Sequence, residues 1–229
     1  MKLLVVSDIH GNLAALERVL EDAGEFEGAI CAGDVVGYGP EPGGCVEKVR
    51  DMGFKCVAGN HDHAVATGDA SDFNPHASEA LAIHRRLLSR WDVEWLGRLP
   101  AWLRLELGGV KVAVYHGSPR RPLREYVYPS YARQLAHEFL NQTGADVLIL
   151  GHTHIPYAVR LGPRALLNPG SVGQPRDRDP RASYMVLELD GGVVSVDHRR
   201  VEYDVGEVAR RMRQLGLPEP LAARLFHGM

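Results

Sequence analysis

Five times in this chain a short apolar run stops abruptly at polar residues that can ligate a metal or carry a proton. Leu3–Val6 ends at Ser7-Asp8-Ile9-His10, Ala29–Cys31 at Ala32-Gly33-Asp34, and Lys55–Ala58 at Gly59-Asn60-His61. Val110–Tyr115 ends at His116-Gly117, and Val147–Leu150 at Gly151-His152-Thr153-His154. Unbroken apolar runs of this length read as strands buried on both faces. Their C-terminal edges are where open α/β sheets place ligands. The chain is thereby confined to folds that bring several such edges together, with Asp34 in the middle of the set.

Between these runs the periodicity is helical. Leu13, Leu16, Val19 and Leu20 follow the first strand, and Cys45, Val46 and Val49 follow Pro42 after the second. This alternation predicts parallel strands with crossover helices. From about 64 to 100 no strand-like run occurs, and Ala80-Leu81, His84, Leu87-Leu88, Trp91 and Trp95-Leu96 recur at helical spacing. We expect a helical insertion there, covering the site, with the tryptophans packed. Leu103–Leu107 and Val110–Tyr115 form a hairpin about Gly108-Gly109, and Tyr184–Leu189 and Val193–Val196 another about Asp190-Gly191-Gly192. Two strands flank Gly162-Pro163, and Pro218 and Pro220 split the tail, about 204 to 227, into two helices. The expectation is a mixed α/β (α+β) fold of one domain, 1–229, with two packed sheets and helices outside.

At 229 residues with a net charge of −3 and interspersed signs, no global field recruits nucleic acid or an anionic membrane. The opening apolar run is too brief for a secretory signal and no run spans a bilayer, so a cytoplasmic location is expected. Cys31, Cys45 and Cys56 lack pairing patterns and read as buried free thiols.

The polar clusters read as a two-metal site bridged by Asp34. Asp8 and His10, two apart, would share one face of an extended segment, as would His152 and His154. Asn60 adds an amide oxygen and His116 an imidazole. Mixed oxygen and nitrogen ligation without thiolate suits two divalent ions, manganese foremost, with iron, zinc, nickel or cobalt also acceptable. Such a pair holds a bridging hydroxide near neutral pH and draws a phosphate. His61 is read as a non-ligand assisting the leaving oxygen.

The ordered set Asp8-x-His10, Gly33-Asp34, Gly59-Asn60-His61-Asp62, His116-Gly117 and Gly151-His152-Thr153-His154 resembles the calcineurin-like metallophosphoesterase superfamily. Asn168-Pro169-Gly170-Ser171 resembles the closing segment of its small prokaryotic, phosphodiesterase-type members. The resemblance implies a four-layer α-β-β-α sandwich. It implies one metal on Asp8, His10, Asp34 and His154, a second on Asp34, Asn60, His116 and His152, and His61 as catalytic histidine beside Asn60. Gly37 and Tyr38 stand where protein phosphatases of the superfamily carry an Asp and an Arg, which weighs against that activity and leaves open what orients His61.

The reading is a phosphodiesterase for a small or nucleotide-like phosphoester. A dinucleoside polyphosphate hydrolase, a phosphomonoesterase or protein phosphatase, and a non-catalytic scaffold are the alternatives, and a homo-oligomer is compatible with all of them. Asn12, His63, Arg120 and Ser171 are candidate substrate contacts, although Asn12 is equally a helix cap and His63 equally the start of the insertion. Arg121, Arg124, Arg176, Arg178 and Arg181 read equally as an anion approach and as solvated loop residues.

Overall fold

The computed structural model describes residues 1–190 and 193–229. Strands β1 (Lys2–Val6), β2 (Gly28–Cys31) and β3 (Lys55–Cys56) alternate with helices α1 (Leu13–Ala23) and α2 (Pro42–Asp51). Helices α3 (Asn60–Thr67), α4 (Pro75–Leu87) and α5 (Arg90–Gly97) follow. The second half runs β4 (Trp102–Leu107), β5 (Val110–Tyr115), α6 (Pro129–Thr143), β6 (Val147–Ile149), β7 (Tyr157–Leu161) and β8 (Arg164–Asn168). It closes with β9 (Ala182–Asp190), β10 (Val193–Val201), α7 (Val205–Gln214), α8 (Glu219–Ala223) and a single 3-10 turn, Arg224–Phe226.

The strands form two mixed sheets of five, ordered β10-β9-β1-β2-β3 and β4-β5-β6-β8-β7. Within them β1, β2 and β3 are parallel, as are β5, β6 and β8. The period of two along each strand explains the layering. Leu3 and Val5 of β1 meet Val112, Val147 and Leu167 between the sheets, while Leu4 and Val6 pack outward with Leu16 and Val46 of the helices. On the second sheet Val147 and Ile149 point inward and Leu148 packs against Phe139 and Leu140 of α6. Both faces of both sheets are therefore covered, and the architecture is the four-layer α-β-β-α sandwich. At the edge, β4 turns Leu103, Leu105 and Leu107 toward the core and Arg104 and Glu106 to solvent, which discourages further strand pairing.

The stretch expected as an insertion holds α4 and α5, but helix begins earlier, at Asn60. The Asp62 carboxylate accepts from the Gly59 N–H at 3.0 Å and from the Val36 N–H at 3.1 Å, so it starts the helix and ties it to the loop after β2. The tryptophans divide: Trp95 packs against the core, whereas Trp91 is 74% exposed and Trp102 47% exposed. The second hairpin forms through β9 and β10; Gly191-Gly192 of its turn lie outside the described residues. Cys31, Cys45 and Cys56 are buried free thiols. Among the described residues no helix is long and apolar enough to cross a membrane.

Candidate metal centre

The C-terminal edges of β1, β2, β3, β5 and β6 meet at one rim, and every expected ligand follows one of them, on a loop or, for Asn60, at the first position of α3. Three loops interlock through backbone bonds. Asp8 N–H donates to Gly33, His10 N–H to Asp34 and Gly11 N–H to Val35, each at 2.9 Å, and Gly173 N–H donates to Asp8 at 3.0 Å. The expected extended segment for Asp8 and His10 is not what forms. Both residues are left-handed, at φ 54° and 52°, and so are Asp34 at 56°, His152 at 67° and His154 at 59°. Non-glycine residues in this region cost about 1–3 kcal/mol each and persist only where their surroundings over-determine them. Here the carboxylates and imidazoles are aimed inward by turns, not by strand alternation.

Three imidazoles are oriented identically. His10 Nδ1 lies 3.1 Å from the Val36 carbonyl, His116 Nδ1 2.8 Å from Ala32 and His154 Nδ1 2.6 Å from Gln174. A carbonyl only accepts, so each Nδ1 carries the proton and each Nε2 presents a lone pair. Those lone pairs converge. His10 Nε2 and His154 Nε2 are 3.1 Å apart, His154 Nε2 is 3.2 Å from Asp8 Oδ1, and His116 Nε2 is 3.0 Å from both His152 Nδ1 and Asn60 Oδ1. Asp34 Oδ2 stands between the groups, 3.3 Å from His116 Nε2 and 3.8 Å from His10 Nε2. Its Oδ1 accepts the His61 N–H at 2.8 Å.

This donor set fits cations. Facing lone pairs repel unless a positive charge lies against them, and both the His10 and His154 protons are spent elsewhere. Asp8 Oδ1 and His152 Nε2 are buried without a hydrogen-bond partner, a state that is costly without compensation. Asp8, His10 and His154 bring ligand atoms within 4.8 Å of one another, and so do Asp34, His116 and His152. Electrostatics follow the same division. Burial pushes the His152 imidazole down to about 3, helped by His116. Burial also works against protonated His116, but the Asp34 carboxylate overrides it and raises the group to about 9, so its Nε2 lone pair holds a proton near neutral pH, and a cation bound there would take that proton's place.

His61 lies beside this cluster and not within an imidazole–carboxylate pair. Its ring packs 4.8 Å from His10, 4.6 Å from Tyr38 and 4.8 Å from Phe73, mostly edge-on, and its Nδ1 has no partner. Among the described residues no backbone carbonyl bonds to its ring, which is flanked instead by His10, Tyr38 and Phe73, the last from the segment before α4. Gly37 makes this possible, since a Cβ there would come within 2.3 Å of His10 Nδ1 and 2.8 Å of His61 Nδ1. His84, given no role by its sequence context, fixes that glycine: its Nδ1 accepts the Gly37 N–H at 3.0 Å and its Nε2 donates to Gly39 at 2.7 Å.

The calcineurin-like phosphoesterase superfamily domain matches residues 1–192. The chain belongs to that superfamily. An uncharacterised protein of Methanocaldococcus jannaschii is 34% identical over 98% of this chain and 97% of its own length. Phosphodiesterase YfcE of Escherichia coli is 31% identical over 83% of this chain and 89% of its own. A crystallised metallophosphoesterase of Sphaerobacter thermophilus superposes with a TM-score of 0.85 at 38% identity, covering 100% of this chain and 99% of that one.

In this superfamily member a cavity of about 640 Å³ opens beside the ligand cluster, bordered by His61, Tyr38, Phe73, Tyr126, Arg176 and Arg224. Of the expected substrate contacts only His63 reaches it. Asn12 is buried as the cap of α1, accepting Ala15 N–H at 3.1 Å and donating to Gly173 at 3.1 Å, so both ends of its amide are taken. Ser171 is likewise committed, donating to the Asp8 carbonyl at 2.7 Å and accepting from Gln174 N–H at 2.8 Å. Arg120 points away to Glu125 and lies over Phe139. Among the arginines weighed from sequence, Arg124 and Arg176 line the cavity. Arg224, Phe73 and Tyr126 were not singled out at all. Tyr126 stacks on His152 at 3.7 Å, a contact no local pattern announces.

Proposed function

We propose that this protein is a dinuclear metal-dependent phosphodiesterase acting on small phosphoesters. The observation that carries the reading is the convergence of buried lone pairs on both sides of Asp34 Oδ2. Asp8, His10, Asp34 and His154 would hold one cation, and Asp34, Asn60, His116 and His152 the other. Manganese is the first choice for such mixed oxygen and nitrogen donors. Two cations so held supply charge for the phosphoryl oxygens and a nucleophilic water at neutral pH.

The chain's own groups do the rest. The Nδ1–H bonds to Val36, Ala32 and Gln174 lock the tautomers, so no ligand must reorganise when an ester arrives. Asn60 and His61, first in helix α3, face the cavity and bind the phosphoryl group, and His61 assists the departing oxygen. The wall of Tyr38, Phe73 and Tyr126 accepts the organic part of the ester. The name of the YfcE relative supports diester over monoester chemistry. The absence of an Asp–Arg pair after Asp34 agrees with this.

Hydrolysis of an aryl phosphodiester beside the matching monoester tests the reading, using chelator-stripped protein refilled with manganese. We expect diester turnover that requires added metal. Equal turnover by the Asp34→Asn variant, or a preference for the monoester, would defeat it.

A further inference from the structure

The cavity contains two cations without anions. Arg176 Nη2 reaches only neutral oxygens, Gln174 Oε1 at 3.0 Å and Tyr38 Oη at 3.4 Å, and its Nε is buried with no partner. Arg224 Nη1 shares the same Gln174 Oε1 at 3.4 Å. Among the described residues, neither guanidinium has a carboxylate partner, whereas Arg124 at the cavity's other side is paired with Asp72. Gln174 itself is 1% exposed and its Nε2 is unpartnered. Two like charges drawn to one amide oxygen repel each other, and burial together with Arg176 pushes Arg224 below the usual guanidinium range. A pair of this kind is stabilised by an anion and by little else.

The two arginines sit at different depths. Arg176 is held by its backbone N–H on the His154 carbonyl at 3.2 Å, and its charge is felt by His10, His61 and His154. Arg224 acts on Tyr38 and is itself acted on by Arg176. It comes from the turn after α8, beyond the segment that the superfamily domain matches.

We propose that Arg176 and Arg224, held together by Gln174 Oε1 behind them, form an anion subsite for a second, non-reacting phosphate of the substrate. The inference rests on the phosphodiesterase reading for the identity of the ligand, and it narrows the substrate to a phosphoester that bears another phosphate. Cavities of roughly 300–1,000 Å³ suit drug- and nucleotide-sized ligands, and this one, at about 640 Å³, has room for such a molecule.

The test is calorimetric binding of inorganic pyrophosphate to the full chain in chelator at low salt. Under those conditions Asp8 and Asp34 repel anions and the metal pair contributes nothing. We expect saturable binding that weakens at least about tenfold in both Arg176→Gln and Arg224→Gln, with Arg224→Lys intermediate. Thermal midpoints should hold or rise, because an uncompensated charge is removed. The exposed Arg210→Gln serves as control. Absence of binding, or loss no greater than in the control, overturns the subsite. Metal-dependent aryl diester hydrolysis, run in parallel, separates the two ideas. Hydrolysis without pyrophosphate binding defeats the subsite alone, and binding without hydrolysis defeats the phosphodiesterase reading alone.

Discussion

The ligand cluster and the cavity wall lie side by side and are built in opposite ways. Each expected ligand follows a strand within a few residues; all but the half-buried Asn60 are buried, and five of them, Asp8, His10, Asp34, His152 and His154, are aimed by left-handed turns that neighbouring loops hydrogen-bond in place. The wall is drawn from the loop after β2, the segment before α4, the loop before α6, the loop before β9 and the turn after α8, and its side chains run from buried Tyr38 through half-buried Phe73, Arg176 and Arg224 to exposed Tyr126. The first region stores strain to hold donors still. The second stores none and spends its energy on shape and charge. The donor cluster thus belongs to local backbone geometry, and the cavity wall to segments that only the finished fold brings together.

The contrast breaks most sharply at Asp34. If both groups of donors share its carboxylate, Asp34→Asn should lose metal as well as turnover, and metal content by elemental analysis decides it; full occupancy would remove the bridge. His61→Ala should behave otherwise, keeping metal while turnover falls about 10²–10⁴-fold. Steady-state rates near wild type would exclude the residue from the chemistry. Gly59→Ala probes the packing of the cluster without replacing a donor. Its Cβ would fall 1.9 Å from Asp34 Oδ1, so we expect about 1–3 kcal/mol of destabilisation in denaturant melts and weaker metal retention. Phe73→Leu belongs to the wall and should be mildest. An edge-on aromatic contact is worth about 0.5–1.5 kcal/mol, so KM and kcat for an aryl diester should change only several-fold with metal content unchanged. A Phe73→Leu protein that loses metal would show that the two regions are not separate.

The same division decided what the sequence disclosed. Strand, loop and helix are local patterns, and Asp8, His10, Asp34, Asn60, His116, His152 and His154 stand in them, so the sandwich was legible, and so was the set of side chains that the fold brings together at one rim. The left-handed turns were not, because spacing of two fits an extended segment as well as a tight turn. Asn12 and Ser171 carried the right chemistry for a phosphate, and only the structure reveals that their polar atoms are consumed by Ala15, Gly173, Gln174 and Asp8. Arg224 lies 163 residues from His61 in a tail with no motif, and nothing but tertiary packing puts the two at one cavity.

Strand β1 lies in the interior of its sheet, between β2 and β9, and bears the loop of Asp8 and His10. On the ribosome it is made first, finds β2 within a few tens of residues, and then waits for Ala182–Asp190 before its other edge is covered. The carbonyls of Ser7 and Asp8 wait as long, for Val172 and Gly173. A chain interrupted at about residue 170 would hold every expected donor and still leave the first pair unbraced. Assembly of the donor cluster is therefore a late event in biosynthesis, and a nascent chain that stalls exposes an unpaired apolar strand edge, the kind of surface that aggregates.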